Sequence, residues 1–403
     1  MLQGKTVLLG VTGGIAAYKM PNVARSLKKL HCNVHVLMTQ NATNFITATT
    51  FETLTGNKCL IDTFDRNFEF SVEHVALAKQ ADLVLIAPAT ANVIGKLAAG
   101  IADDMLTTTV MACPCPVQIA PAMNHNMYKN PIVQDNLDKL TRFGYEIIQP
   151  VVGMLANGDT GIGKLPDEET LVEYVKKELA HEKDLAGKRV LVTAGPTREA
   201  LDPVRFLSNH STGKMGYALA RQAMYRGAEV TLVSGPVELE PPLFVHTISV
   251  ASAQEMCEAV LAEAPGQDII IKAAAVADYR PVHVAMEKIK KQEGDSSLAL
   301  ERTTDILKAL GEKKREGRIH AFLCGFSMET EHMLENSRKK LDQKGADMIA
   351  ANNLRTEGAG FGTDTNVMTL ITREGIRELP KMSKEETADC ILDDISRCML
   401  NES

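Results

Sequence analysis

Short apolar runs, each closed by Gly, Pro or Asn and followed by a stretch with helical spacing, recur along the chain from Lys5 onward. Lys5–Val11 leads through TGGIAAYK into a helix reaching about Leu30, and NVHVLMTQ follows, passing Thr39. Two further runs, VLIAP and VQIAP, end in Ala89-Thr90-Ala91-Asn92 and Met123-Asn124-His125-Asn126. A run this short, apolar on both faces and followed by a helix, reads as a buried strand of a parallel sheet. Such sheets bind ligands where the strands' carboxyl ends open onto loops. Thr39, Thr90, Asn92 and Asn124 are therefore expected on one rim. Thr90, Asn92 and Asn124 also suit helix N-caps, and the two readings are compatible.

Gly13 and Gly14 allow close backbone approach to a ligand at a helix amino end, a phosphate-site geometry that a tight strand-to-helix turn alone also explains. Phe51–Glu69 reads as a looser segment, and His74 precedes a short helix before the VLIAP strand. A lone His is more often structural than catalytic. Lys129–Phe143 is expected as helix, Tyr145–Gln149 as strand, GMLANGDTGIGKLPD as a glycine-rich loop and DEETLVEYVKKELAHE as the closing helix.

After a charged joint, His181–Lys188, the grammar restarts with RVLVTAGPTRE, helix MGYALARQAMYRG, strand AEVTLVSGP, helix SAQEMCEAVLAEA and strand DIIIKAAAVADY. Two successive βαβ series predict an α/β protein of two Rossmann-like domains, residues 1–183 and 184–403. In the second, PTREALDPVRFLSNHSTGKMG gathers Arg205, Asn209 and Lys214 before a helix, suiting a polyphosphate without matching a Walker A loop. Asp278, expected at a strand end, could hold a divalent cation bridging phosphates. In EKIKK a strand-like alternation puts Lys288 and Lys290 on one side. Lys340 and Lys344, four apart on a helix, share a face and can grip one anion. GAGFGTDTNVMTLITREG reads as a flap leading into a hairpin.

Composition narrows the classes. The 403 residues carry 45% hydrophobic and 24% charged side chains and a net charge of -7, which gives no broad field for nucleic acid or acidic membranes. Aromatics at 4% without Trp disfavour base-stacking platforms. No run reaches the ~18 apolar residues of a membrane span, and no signal-length segment opens the chain. The eight scattered Cys read as reduced thiols of a cytoplasmic protein, and the close pair Cys113/Cys115 lacks the second cluster a metal site needs. A pyridine-nucleotide reductase is disfavoured by the missing GxGxxG and ribose-binding acid.

TGGIAAYK, SVEHV, APATANVIGKLAAGIADD, APAMNHNM, TREALDPVRFLSNHSTGKMG, AAAVADYRP, EKIKK and NNL stand in order over nearly the whole chain. Together they resemble the bifunctional coenzyme A biosynthesis flavoproteins, in which a phosphopantothenoylcysteine decarboxylase is fused to a phosphopantothenate–cysteine ligase. The resemblance implies a flavodoxin-like amino-terminal domain that binds FMN, with Gly13, Gly14, Ile15 and Ala16 at the phosphate and Thr39, Thr90 and Asn92 nearer the ribityl chain or ring. His74 matches the family's catalytic His, and Asn124 the residue that grips the substrate carboxylate. Asn157 stands where the family usually has a proton-donating Cys, and Asn has no titratable proton near neutrality. Another donor such as water or Cys113, a slow final reduction, or release of the unsaturated enethiol each answer that departure. A flavin-binding half with only a regulatory role is the alternative.

For the carboxy-terminal domain the resemblance implies CTP-dependent ligation of 4'-phosphopantothenate and cysteine through an acyl-cytidylate. Lys288 matches the lysine needed to form it, and Asn209 and Arg205 the residues that handle it. Asp278, Phe326, Lys340 and Lys344 match nucleotide contacts, and Lys272, Ala273 and Ala274 a backbone that reads the base. Magnesium, at Asp278, is the implied cation. The resemblance further implies trimers of the flavin domain and dimers of the ligase domain, together a dodecamer.

Overall fold

Every residue of β1 (Thr6–Val11) is buried, and in a computed structural model of the chain this strand lies inside a parallel sheet. The structure describes residues 2–63, 73–154, 158, 160–290, 297–329, 333–353 and 364–401. The chain divides into two compact units, Met1–Glu182 and Lys183–Ser403.

In the first unit β1, β2 (Asn33–Met38), β3 (Leu83–Ala89), β4 (Val117–Pro121) and β5 (Glu146–Ile147) form a sheet in the order β2-β1-β3-β4-β5, with every pairing parallel. This is the flavodoxin-like order, whose switch point lies between β1 and β3. Side chains of one strand alternate between faces. Val7, Leu9 and Val11 of β1, with Leu83 and Leu85 of β3, pack into a layer with α1 (Met20–Lys29), α2 (Ala48–Thr55) and α8 (Glu168–Leu179). Leu8, Val84 and Ile86 face the other layer, with α3 (Glu73–Gln80), α4 (Ala91–Ala99), α5 (Met105–Ala112) and α7 (Pro131–Arg142). The short α6 (His125–Tyr128) precedes α7. Two departures from expectation stand out. The segment from Phe51 begins inside α2, and the glycine-rich loop is a hairpin of β6 (Val151–Met154) and β7 (Thr160–Lys164). Asn157 lies outside the described residues.

The second unit is built on an eight-stranded sheet, counted among the described residues. Its first members are β8 (Arg189–Ala194), β11 (Glu229–Ser234), β12 (His246–Ser249) and β13 (Ile269–Lys272), with the small β9 (Arg198–Ala200) and β10 (Phe206–Ser208) outside it. Then come β14 (Tyr279–Pro281) paired with β15 (Leu300–Arg302), the sheet strands β16 (Phe322–Glu329) and β17 (Met348–Asn353), the short β18 (Thr365–Asn366), and the sheet strands β19 (Met368–Thr372) and β20 (Ile376–Glu378). The order is β12-β11-β8-β13-β16-β17-β19-β20, parallel through β17 and antiparallel at β19 and β20. The connecting helices are α9 (Lys214–Tyr225), α10 (Ala253–Glu263), α11 (Ile306–Arg315) and α12 (Met333–Lys344), and α13 (Lys384–Asn401) closes the unit. The expected hairpin is β19–β20, while the flap residues 354–363 lie outside the described set.

The α4–α5 connection is fixed by one carboxylate. Asp104 caps α5 through the Thr107 amide at 2.8 Å, with the reciprocal Asp104 amide to Thr107 hydroxyl bond at 3.3 Å, and takes the Lys96 ammonium at 2.9 Å. Burial pushes this carboxyl up, but the Thr107 amide, the Lys96 ammonium and the Thr107 hydroxyl outweigh it, so it stays ionised below the usual Asp value. A depressed folded value stabilises the fold above the unfolded value of about 3.9, and that contribution fades as pH falls through the folded one. We expect Asp104→Ala to cost about 1 kcal/mol at neutral pH. Melting curves across pH should show the gap from the unaltered chain closing below about pH 4; a gap independent of pH would contradict the assignment.

Candidate functional site

In the first unit the carboxyl ends of β1 and β3 are stitched together by Thr12. Its buried hydroxyl donates to Pro88 O at 2.6 Å and accepts the Thr90 amide at 3.0 Å. Gly13 and Gly14 follow at once and open a 3-10 turn, Ile15–Lys19, that runs into α1. A Cβ on Gly13 would sit 2.6 Å from Asn41 Cβ and 2.9 Å from its backbone, so only glycine lets this turn approach the one after β2. Thr90 leads α4 without using its side chain as a cap. Asn124 does cap: its carboxamide oxygen accepts the Asn126 amide at 2.9 Å, which leaves its nitrogen as the donor for a ligand.

These pieces enclose a cavity of about 720 Å³ lined by Gly13, Gly14, Ile15, Ala16, Thr90 and Asn124, with Lys19, Met123, Met127, Met154 and Lys164 among its walls. That volume suits a mononucleotide-sized group. Six of the expected residues thus meet at the switch point. Thr39, Asn92 and His74 do not line the cavity. Thr39 lies at the same rim, its amide bonded to Val11 O at 3.0 Å, and its hydroxyl is buried without a partner among the described residues. Asn92 is exposed on the first turn of α4, and half-buried His74 stands on the first turn of α3. Met154 and Lys164 come from the β6–β7 hairpin, which periodicity did not reveal because Gly and Asn residues interrupt its alternation.

Cys113 follows α5 and precedes β4, so in its own chain it stands at the amino end of a strand whose carboxyl end carries Asn124. A strand of this length separates the two by about 16 Å. Cys113 is therefore on the rim opposite Asn124 within one chain.

In the second unit the segment after β13 is a loop, not the continued strand expected through Asp278. Its alanines have low β-propensity, and its polar groups find partners outside any ladder. The amides of Ala274 and Ala277 donate to the buried hydroxyls of Thr193 and Thr197 at 3.1 and 3.0 Å, and the Ala275 amide to Gly195 O at 2.9 Å. Asn209 donates to Ala275 O at 3.0 Å, and the Thr303 hydroxyl to Ala277 O at 2.6 Å. Asn209, Ala273, Ala274 and Asp278 are thereby gathered at one rim. Beside them Lys340 bonds the Ser327 hydroxyl at 2.9 Å, next to Phe326 on β16, and Lys344 pairs with Asp305 at 2.9 Å. Burial pushes Lys272 below the usual ammonium value; Asp305 and Asp278 oppose it, and Lys344 and Lys340 reinforce it. One electrostatic neighbourhood thus holds Lys272, Asp278, Asp305, Lys340 and Lys344. Asp305 and Ser327 escaped the sequence reading, although TTDILKAL marks Asp305 as a helix cap, here to the Lys308 amide at 3.1 Å.

Lys288 and Lys290 are exposed in irregular backbone, so the strand-like alternation fails. Both polar groups of the intervening Ile289 peptide are taken by Asp202 and Arg205 instead of a neighbouring strand. Among the described residues no three His, Cys, Asp or Glu side chains cluster as a metal site, and no helix is long and apolar enough to cross a membrane.

Residues 1–180 match a family model described as Flavoprotein, and residues 185–399 one described as DNA/pantothenate metabolism flavoprotein C-terminal domain. The coenzyme A biosynthesis bifunctional protein CoaBC of Bacillus subtilis (strain 168) is 49% identical over 400 residues, covering 98% of each chain. That of Vibrio cholerae serotype O1 (strain ATCC 39315 / El Tor Inaba N16961) is 46% identical over 393 residues, 97% of this chain and 98% of the relative. That of Escherichia coli (strain K12) is 42% identical over 397 residues, 98% and 97%.

The thiols offer a test of the packing of the first unit. Burial pushes Cys59 up to about 12 and Cys32 to about 11. Cys113 and Cys115 share a hydrogen bond that lowers Cys115, and both are partly exposed. Thiolates are the reactive form. Alkylation of the native chain at pH 8, followed by peptide mass mapping, should label Cys115 well before Cys59 and Cys32; equal labelling would contradict this packing.

Proposed function

The chain belongs to the CoaBC family of bifunctional coenzyme A biosynthesis proteins, and from that premise we propose that it makes 4'-phosphopantetheine in two steps. Its second unit joins 4'-phosphopantothenate to cysteine at the expense of CTP, and its first unit decarboxylates the phosphopantothenoylcysteine formed. Identity to bifunctional relatives along 98% of the chain carries this reading. A merely regulatory amino-terminal half gains no support from it.

The group proposed for the first unit is FMN, and the residues present fit it. The cavity lies at the switch point of a flavodoxin-like sheet, glycines and small side chains are among its lining, and the Thr39 hydroxyl nearby lacks a partner among the described residues. Gly13, Gly14, Ile15 and Ala16 would meet the phosphate, with Lys19 and Lys164 as nearby cations. When bound, FMN takes up the electrons released as the cysteinyl thiol becomes a thioaldehyde, which lets the adjacent carboxylate leave as carbon dioxide. The Asn124 nitrogen, freed by its own capping bond, orients that carboxylate. His74 does not line the cavity of its own chain, so in this proposal it serves the cavity of a neighbouring copy. The assembly proposed is a dodecamer of flavin-unit trimers and ligase-unit dimers. A cytoplasmic location is part of this proposal, supported by eight cysteines that are all free thiols.

In the second unit the task is to neutralise a crowded phosphate while a carboxylate attacks it and pyrophosphate leaves. Lys288 is assigned to acyl-cytidylate formation. Arg205 and Asn209 hold the intermediate for capture by cysteine, Asn209 being aimed by its bond to Ala275 O. Lys340 and Lys344 meet the nucleotide phosphates beside Phe326, and Lys272–Ala274 the base. Among the described residues Asp278 stands without a cluster of further acidic ligands, so a magnesium ion there would draw most of its oxygens from phosphate and water.

The mass of the product made from 4'-phosphopantothenate, cysteine, CTP and magnesium tests the whole reading. Saturated 4'-phosphopantetheine means that a group other than Asn157 delivers the last proton. A product two hydrogens lighter means that reduction fails at Asn157, and accumulating phosphopantothenoylcysteine would sink the decarboxylase assignment. Lys288→Gln should lower ligation at least about 100-fold yet leave the purified protein yellow; a colourless unaltered chain would refute FMN.

A further inference from the structure

A buried carboxylate is costly unless its lone pairs are filled, and Asp202 fills them with groups from two separate loops. Its side chain has no exposed surface. Oδ1 accepts the amides of Val204 and Arg205 at 2.8 Å each. Oδ2 accepts Arg205 Nε at 3.0 Å, Arg205 Nη2 at 2.5 Å and the Ile289 amide at 3.1 Å. Arg205 Nη2 also donates to Ile289 O at 2.9 Å, so the Ile289 peptide is gripped by both its polar groups. A second anchor, the Ala285 amide to Leu201 O at 3.0 Å, ties the same two segments four residues upstream. Arg205 keeps 49% of its side chain exposed and Lys288 is exposed beside Ile289, so both remain open to a ligand.

Without a sheet ladder, the backbone tie at Ala285 lies three residues short of Lys288; the carboxylate supplies the constraint beside the lysine, at Ile289. Resting on the assignment of Arg205 and Lys288 to the ligase reaction, we infer that Asp202 is a positioning residue for it. Asp202 locks the Arg205 guanidinium and the Ile289 peptide into one clamp, so that Arg205 and Lys288 are presented to the same substrate. The CTP-side groups, Lys340, Lys344 and the Ala273–Asp278 loop, have their own anchors and do not depend on the clamp.

Asp202→Asn in the full-length chain keeps the shape and the Oδ1 acceptor but turns an N–H toward three donors. We expect the ligation kcat to fall about 100-fold, the scale of a misplacement near 1 Å, with CTP affinity by calorimetry and FMN absorbance unchanged. Asp202→Glu, which restores the charge on a longer arm, should recover part of the rate. Arg205→Lys and Lys288→Gln run alongside. If those two leave ligation intact, the underlying assignment fails and takes the clamp with it. If they abolish ligation while Asp202→Asn matches the unaltered chain, the assignment stands and the clamp is refuted. Loss of CTP affinity together with rate in both Asp202 variants also refutes it, because Asp202 then serves the fold as a whole.

Discussion

Both units depend on the parallel pairing of their central strands. Parallel neighbours must be joined by crossovers, and the crossovers carry every loop that leaves a strand's carboxyl end to the same rim. The turns after β1 and β3 therefore meet although almost eighty residues separate them, and Thr12 converts that proximity into direct bonds. In the second unit the same rule brings the turn after β8 against the loop after β13, where Asn209 reaches Ala275. The candidate sites sit on these rims because parallel pairing brings the loops after several buried strands together there.

This is also why much of the site was legible in the sequence. An apolar run ending in Gly, Thr or Asn marks a rim residue directly, and Gly13, Gly14, Thr90 and Asn124 are read that way, whereas Ile15 and Ala16 come from the resemblance. The reading weakens where a residue's place depends on partners remote in sequence. Nothing in EKIKK says that Asp202 and Arg205 would claim the Ile289 peptide, so a local alternation suggested a strand. Nothing in AAAVAD separates the end of an apolar strand from a loop of small residues held by threonines. Asn92 follows the Thr90 that reaches the cavity, but the turn of α4 carries it out to solvent. His74 is motif-bearing, yet its helix places it off the cavity wall.

The two rims solve one problem in the same way. A loop that must bring backbone close to a ligand cannot satisfy its amides by continuing a ladder, and a buried amide left unpaired costs about 1–3 kcal/mol. Thr12, Thr193 and Thr197 are all fully buried, and each offers its hydroxyl to an amide of the neighbouring rim loop. A threonine suits this role because its stiff χ1 and its methyl hold the hydroxyl in an apolar wall. Serine would keep the bond but lose that stiffness, and valine would keep the shape but strand the amide. The rim loops are thus built into the core by single hydroxyls, which leaves their outward faces, Gly13–Ala16 in one unit and Ala273–Asp278 in the other, free for a ligand.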